Sequence, residues 1–199
     1  MSDKTLTYYN QNAQGFANST RHIDMSALYR EFLPYVAANG SILDAGCGSA
    51  RDAAYFKSQG FKVNAFDASQ ELAELASIYL QQEVEVKRFQ ELDEVNQYDG
   101  IWCCASLLHV PKEALLDVFI NLQNALKTNG VLYVSFKYGT QERVHNGREF
   151  TDLNENALTV LLERLPQFNL IKSWQTIDQR PEKETEIWLN ALIRKVSNT

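Results

Sequence analysis

The chain has 199 residues, 45% of them hydrophobic, and a net charge of −6. That length and composition suit one domain with a sizeable core. The acidic balance and the scatter of its 19 Lys and Arg argue against the basic stripe of a nucleic-acid-binding protein. Cys47, Cys103 and Cys104 form no C-x-x-C pair and no Cys/His metal spacing, so no metal is expected. They read as reduced thiols in a cytoplasmic protein. The start, MSDKTLTYYNQNAQ, lacks the apolar core of a signal peptide. No apolar run approaches the ~20 residues that span a bilayer.

Residues 1–40 read as two short helices, 5–16 and 23–36, expected to lie as a lid over the ligand end of a sheet built from the later strands. SILDA (41–45) is a buried strand, and RDAAYFKSQG a helix stopped by Gly60. FKVNAFD (61–67) is a second strand. Ser69 caps a helix over 69–80, with apolar residues at 72, 75, 76 and 79. VEVKRF (84–89) and GIWCCAS (100–106) are the third and fourth strands. Pro111 opens the helix PKEALLDVFINLQNALK, ended by Asn129-Gly130, and VLYVSF (131–136) is the fifth strand.

KYGTQERVHNGREF then reads as a polar loop, and Asp152 with Glu155 as a capping box for a helix through Leu165. NLIKSWQTID (169–178) and EIWLNALIRK (186–195) flank the polar turn QRPEKET and should pair antiparallel. The expected fold is α/β: a Rossmann-like, doubly wound, mixed seven-stranded sheet with an antiparallel C-terminal strand pair. Residues 1–199 form a single domain in this reading.

Ligands of such sheets bind beyond the carboxyl ends of the strands. There the sequence places ILDAGCGSARD, with Gly46 and Gly48 in a tight turn. The turn has no Gly-Lys-Ser/Thr, so it is not a triphosphate loop. Arg51 stands where a dinucleotide fingerprint has its third glycine, and Asp44 and Asp52 would repel a pyrophosphate. Asp44 can accept from an ammonium group. Asp67, ending the second strand, can accept two ribose hydroxyls. S-adenosylmethionine (SAM) carries an ammonium, a sulfonium and a ribose diol, and no phosphate.

These stretches, with YDGIWCCASLLHVP and LKTNGVLYVSF in order, resemble class I SAM-dependent methyltransferases over most of the chain. KYG…ER…GREFTD is similar to the bacterial small-molecule branch labelled tellurite-resistance-related. The resemblance implies that Asp44, Gly46 and Gly48 hold the methionine end of SAM and Asp67 its ribose. It places Ala68, Phe89 and Gln90 around the adenine, and Ala105 and Ser106 beside the methionine backbone. Gln90 stands where the family often has Asp. Ala50 replaces a third glycine common in the family, and is expected to sit in ordinary helical backbone. The N-terminal segment would cover SAM and part of the acceptor site, with Tyr9 and Arg21 as contacts.

Methyl transfer mostly needs proximity and orientation, and a base only for a protonated acceptor. His109, after the fourth strand, is the candidate base; a structural cleft-lining histidine is the bland reading. His22 and His145 have weaker claims. Lys137, Arg143 and Arg148, joined by Arg180, are expected to grip an anionic acceptor, unless Glu142 and Glu149 neutralise them in a solvated loop. Trp174 and Trp188 read as sheet packing. The expected activity is methyl transfer to a small polar or anionic molecule. The alternatives are an RNA methyltransferase and a non-catalytic SAM-binding protein, with a nicotinamide oxidoreductase disfavoured by the turn. Oligomeric state is not readable.

Overall fold

The computed structural model describes residues 1–180, 183 and 185–197. In chain order it contains α1 (Asp3–Thr20), α2 (Ser26–Phe32), β1 (Ser41–Ala45), α3 (Arg51–Ser58), β2 (Lys62–Asp67), α4 (Gln70–Leu80) and β3 (Glu85–Val86). There follow β4 (Tyr98–Cys103), α5 (Leu115–Ala125), β5 (Leu126–Lys137), β6 (Glu142–His145), β7 (Arg148–Thr151), α6 (Glu155–Leu162), β8 (Phe168–Ile177) and β9 (Ile187–Lys195). Seven strands make one sheet in the order β3-β2-β1-β4-β5-β9-β8. The first five are parallel and the last two antiparallel, as the sequence predicts.

Alternation along the central strands separates two cores. Leu43, Ile101 and Leu132 face α5 and α6. Ile42, Trp102 and Tyr133 face Phe32 of α2 and Phe56 of α3, with Trp102 and Tyr133 stacked at 3.9 Å. Both faces of β1 are therefore dry, and ligands can enter only at its ends. Tyr9 and Ala13 of α1 pack on Leu72 of α4. That contact carries the N-terminal helix across the carboxyl end of β2. No described helix is long and apolar enough to cross a membrane.

Several expectations are corrected. The third strand shrinks to two residues at the sheet edge. α5 stops at Ala125, before Asn129-Gly130, because Leu126 is fully buried and pairs with Tyr98 in the sheet. The polar loop after β5 is a hairpin, β6–β7, turned by Asn146 (φ 49°) and Gly147 (φ 76°). Two positive φ values in sequence define the turn type that favours Asn-Gly. Asn154, not Asp152, caps α6, accepting from the Ala157 amide at 2.9 Å. Asp152 instead accepts from Arg143 Nε at 2.8 Å. Within QRPEKET, residues 181, 182 and 184 lie outside the described residues.

Candidate active site

The turn after β1 is shaped by backbone. The Gly46 and Cys47 amides both donate to the Phe66 carbonyl at 2.9 Å, tying the turn to the end of β2. Gly46 has φ +74°, and a Cβ there would stand 2.5 Å from Ser106 Cβ. A side chain at Gly48 (φ +54°) would press on Phe16 at 3.0 Å. Both glycines are thus required by conformation and by close approach. Ala50 corrects the sequence reading: it has φ 58°, ψ 23°, left-handed backbone. A non-glycine residue there carries roughly 1 kcal/mol of strain. A glycine at this position would carry no such strain.

Two carboxylates frame the turn. Asp44, buried at the end of β1, accepts from the Ala53 amide in the first turn of α3 at 2.9 Å. Burial and the neighbouring Asp52 hold its carboxyl well above the usual range. Asp67 accepts from the Gly48 amide at 2.8 Å and the Ser69 amide at 2.9 Å. Burial raises it, and those amides oppose the rise. Asp52 is different: although burial pushes it up, the Arg51 guanidinium holds it ionised, helped by Tyr29 and Trp102. Asp52 therefore fixes the helix start, and Asp44 and Asp67 front the cavities.

Two cavities open at this end of the sheet. The smaller is lined by Gly46, Gly48, Asp67, Ala68, Phe89, Gln90, Ala105 and Ser106, with Tyr9 and Phe16 from α1. Those eight β-sheet-end residues are all expected around the adenosyl and methionine groups; Asp44, expected with them, lines only the larger cavity. Gln90 is exposed at its rim, and Met1, Lys87 and Arg88 join the lining. The larger cavity, about 400 Å³, is lined by Asp44, His109, Lys137, Arg143, Arg148, Phe150, Arg180 and Trp188, among others. Tyr9, Phe16, Gly46, Gly48, Ala105 and His109 line both.

Arg21 lines neither cavity. It donates to the Ser49 carbonyl at 3.2 Å and the Leu75 carbonyl at 3.3 Å, and lies over the Tyr79 ring. It ties the end of α1 to the glycine turn and α4. His145 lines the larger cavity from the hairpin, and His22 is exposed after α1.

At the shared wall, His109 is buried with both ring nitrogens engaged. Nδ1 faces the Glu149 carbonyl at 2.7 Å, which can only accept, so Nδ1 carries the proton. Nε2 then accepts from the Tyr9 hydroxyl at 2.8 Å. Burial, reinforced by nearby Arg148, lowers His109 to about 4, and burial raises the Tyr9 phenol. Both are neutral at pH 7.

The cations of the larger cavity are mostly spent on protein carboxylates. Lys137, near-fully buried, bonds Asp178 at 3.2 Å and Glu186, and lies over the Trp188 ring at 4.1 Å. Burial, resisted by Asp178, lowers its amine to about 8. Arg180 binds Asp178 at 2.6 Å, and Arg143 binds Asp152. Trp188 is a cavity wall as well as sheet packing, donating to Asp178 at 3.0 Å. Its signal is the strand pairing itself, which sets Trp188 opposite Lys137 at the carboxyl end of β5. Trp174 does pack on the sheet, against Tyr133.

A glycine turn between two buried carboxylates, on this strand order, is the frame of the class I methyltransferase fold. The chain belongs to the methyltransferase-domain family, whose model matches residues 17–175. A ubiquinone biosynthesis O-methyltransferase of Rickettsia typhi is 36% identical over 99 residues, 47% of this chain and 39% of that protein. The chain thus spans about two-fifths of the curated relatives it matches. A Burkholderia thailandensis 1,6-didemethyltoxoflavin-N1-methyltransferase, solved with its acceptor and S-adenosylhomocysteine, superposes with TM-score 0.73 at 25% identity. That match covers 96% of this chain and 85% of that one. A TehB-like SAM-dependent methyltransferase of Corynebacterium glutamicum shares the fold with TM-score 0.69 at 19% identity, over 96% and 97% of the two chains.

Proposed function

We propose that this chain transfers a methyl group from SAM to a small polar or anionic molecule held in the larger cavity. One observation carries the reading: the two cavities meet at a wall formed by Tyr9, Phe16, the glycine turn, Ala105 and His109. The residues fit SAM. The Gly46 cradle has no room for a Cβ, and its flanking carboxylates suit a cation and a diol rather than phosphates. Asp67 would hold the ribose and Phe89 with Ala68 and Gln90 the adenine in the smaller cavity, while Asp44 would hold the ammonium group where the methionine end of SAM reaches into the larger one. When bound, SAM supplies an electrophilic methyl group on its sulfonium. The chain's own contribution is to bring an acceptor to that junction and exclude water.

His109 acts here as a positioning residue rather than a base. With both nitrogens engaged it has no free site for an acceptor proton, and it fixes the Tyr9 hydroxyl at the junction. Residues 1–40 act as a helical lid, supported by Tyr9 and Phe16 lining both cavities and by Thr5 Oγ1 accepting from the Glu149 amide at 2.9 Å. The acceptor atom is left open, because one relative is named for O-methylation and one neighbour for N1-methylation. The hairpin pattern KYG…ER…GREFTD supports a place in the tellurite-resistance-related branch, and the free thiols Cys47, Cys103 and Cys104 suit a cytoplasmic setting. An RNA acceptor is disfavoured, since most cavity cations already hold protein carboxylates.

The test is calorimetric titration of SAM and S-adenosylhomocysteine into the wild type and Asp67→Ala, with NADH as control. Saturable SAM binding that is lost in the variant supports the reading. NADH binding in its place returns an oxidoreductase to the front.

A further inference from the structure

We propose that the acceptor is a ring-bearing monoanion, and that Arg148 is the residue that selects its charge. The inference rests on the methyltransferase reading of the same site and names the class of molecule it takes.

The charges of the larger cavity isolate Arg148. Lys137, Arg180, Arg143, Lys183 and Arg51 each hold a protein carboxylate. Arg30 is exposed at the rim and donates to the Ser26 carbonyl. Arg148 is half-buried and, among the described residues, pairs with no carboxylate. Its Nε is buried without a hydrogen-bond partner. A half-buried guanidinium without a counter-ion is unfavourable alone, and becomes favourable when an anion completes it.

The surroundings say what shape that anion has. The Arg148 guanidinium lies 4.5 Å from the Tyr8 ring centre, 5.3 Å from Phe150 and 5.9 Å from Tyr9. The aromatic rings brace the guanidinium and cover part of it. Its backbone is pinned next door, where Glu149 binds both Thr5 and His109. Phe150 and Trp188 line the same cavity. Asp44, Gly46 and Gly48 also line this cavity of about 400 Å³, so an acceptor shares it with the methionine end of SAM, and Phe150 and Trp188 offer it apolar faces that suit a ring. Arg148 is the half-buried cation of this lining that holds no carboxylate among the described residues, and a single guanidinium fork matches one carboxylate-like charge. A phosphate dianion would instead face Asp178 and Glu186 with their cations already engaged. Because Arg148 sits against Tyr9, the selected charge lies close to the shared wall.

The probes are benzoate, its neutral isostere benzamide, and inorganic phosphate, each titrated into protein saturated with S-adenosylhomocysteine. Benzoate is expected to bind at least tenfold tighter than benzamide, and phosphate not to displace it. Arg148→Gln should erase the benzoate preference while S-adenosylhomocysteine affinity stays within twofold, which also reports that the variant is folded. Arg148→Lys, keeping charge but not the planar fork, should fall between. Equal binding of benzoate and benzamide to wild type, or a preference surviving in Arg148→Gln, overturns the proposal. Displacement by phosphate overturns the monoanion assignment. Failure of wild type to bind S-adenosylhomocysteine would sink the underlying methyltransferase reading instead, and is seen in the first titration.

Discussion

The two cavities are built from different materials. The smaller is mostly positive-φ glycines, strand ends and the Asp67 carboxylate, drawn from the segments that follow β1 to β4 and covered by Tyr9 and Phe16 of α1. The larger is made of long side chains reaching in from α1, β5, the β6–β7 hairpin and β9. Backbone shape varies little with sequence, so it suits a ligand common to a whole family. Side chains on separate segments can change one at a time, so they suit a ligand that differs between members.

The largest predicted effect tests the backbone half. Asp67→Ala removes the proposed ribose acceptor and frees the Gly48 amide. Losing charge-assisted hydrogen bonds should weaken S-adenosylhomocysteine about 100-fold or more by calorimetry. Unchanged affinity would remove Asp67 from the site. Next is Gly46→Ala. Its methyl group collides with Ser106 at positive φ, which should cost about 3 kcal/mol of stability. Denaturant titration reads that loss directly, and a wild-type midpoint would show the turn to be plastic.

The third prediction concerns the shared wall and pH. His109 is lowered to about 4 by burial, from an ordinary 6.5. Between those values the unfolded chain binds the extra proton. Stability from keeping His109 neutral is therefore complete above pH 6.5 and lost as pH falls toward 4. At pH 4.5 the loss is about 2–3 kcal/mol. Comparing wild type with His109→Gln isolates it from the carboxylates. Parallel pH curves for the two would refute a buried neutral histidine. The smallest effect belongs to Ala50→Gly. Relief of left-handed strain, about 1 kcal/mol, is offset by a lost buried methyl, about 0.8 kcal/mol. A change beyond about 0.5 kcal/mol would mean one of those two contributions is misjudged.

Legibility in the sequence divides along the same line. Asp44, Gly46, Gly48 and Asp67 lie within one short stretch, and their spacing alone brings them together. The antiparallel pair is readable too, since two extended runs with no helix between them have few ways to pair. The hairpin carries its own signal, Asn146-Gly147 between alternating residues, but the charges around it imitate a solvated loop. The pairings of Arg143 with Asp152 and Lys137 with Asp178 are not readable. They depend on that hairpin and on β9 lying beside β5. Nor can Ala50 be read, because alanine carries no mark of positive φ. Arg21 does lie near the turn, but its guanidinium is taken by two carbonyls.

Tyr9 and its neighbours face both cavities from a single helix. Whatever steadies α1 for one occupant steadies it for the other. The energy of that coupling is a single quantity, whichever side it is measured from. The factor by which an acceptor analogue tightens S-adenosylhomocysteine must equal the factor by which S-adenosylhomocysteine tightens the analogue. At equilibrium each ligand then raises the occupancy of the other.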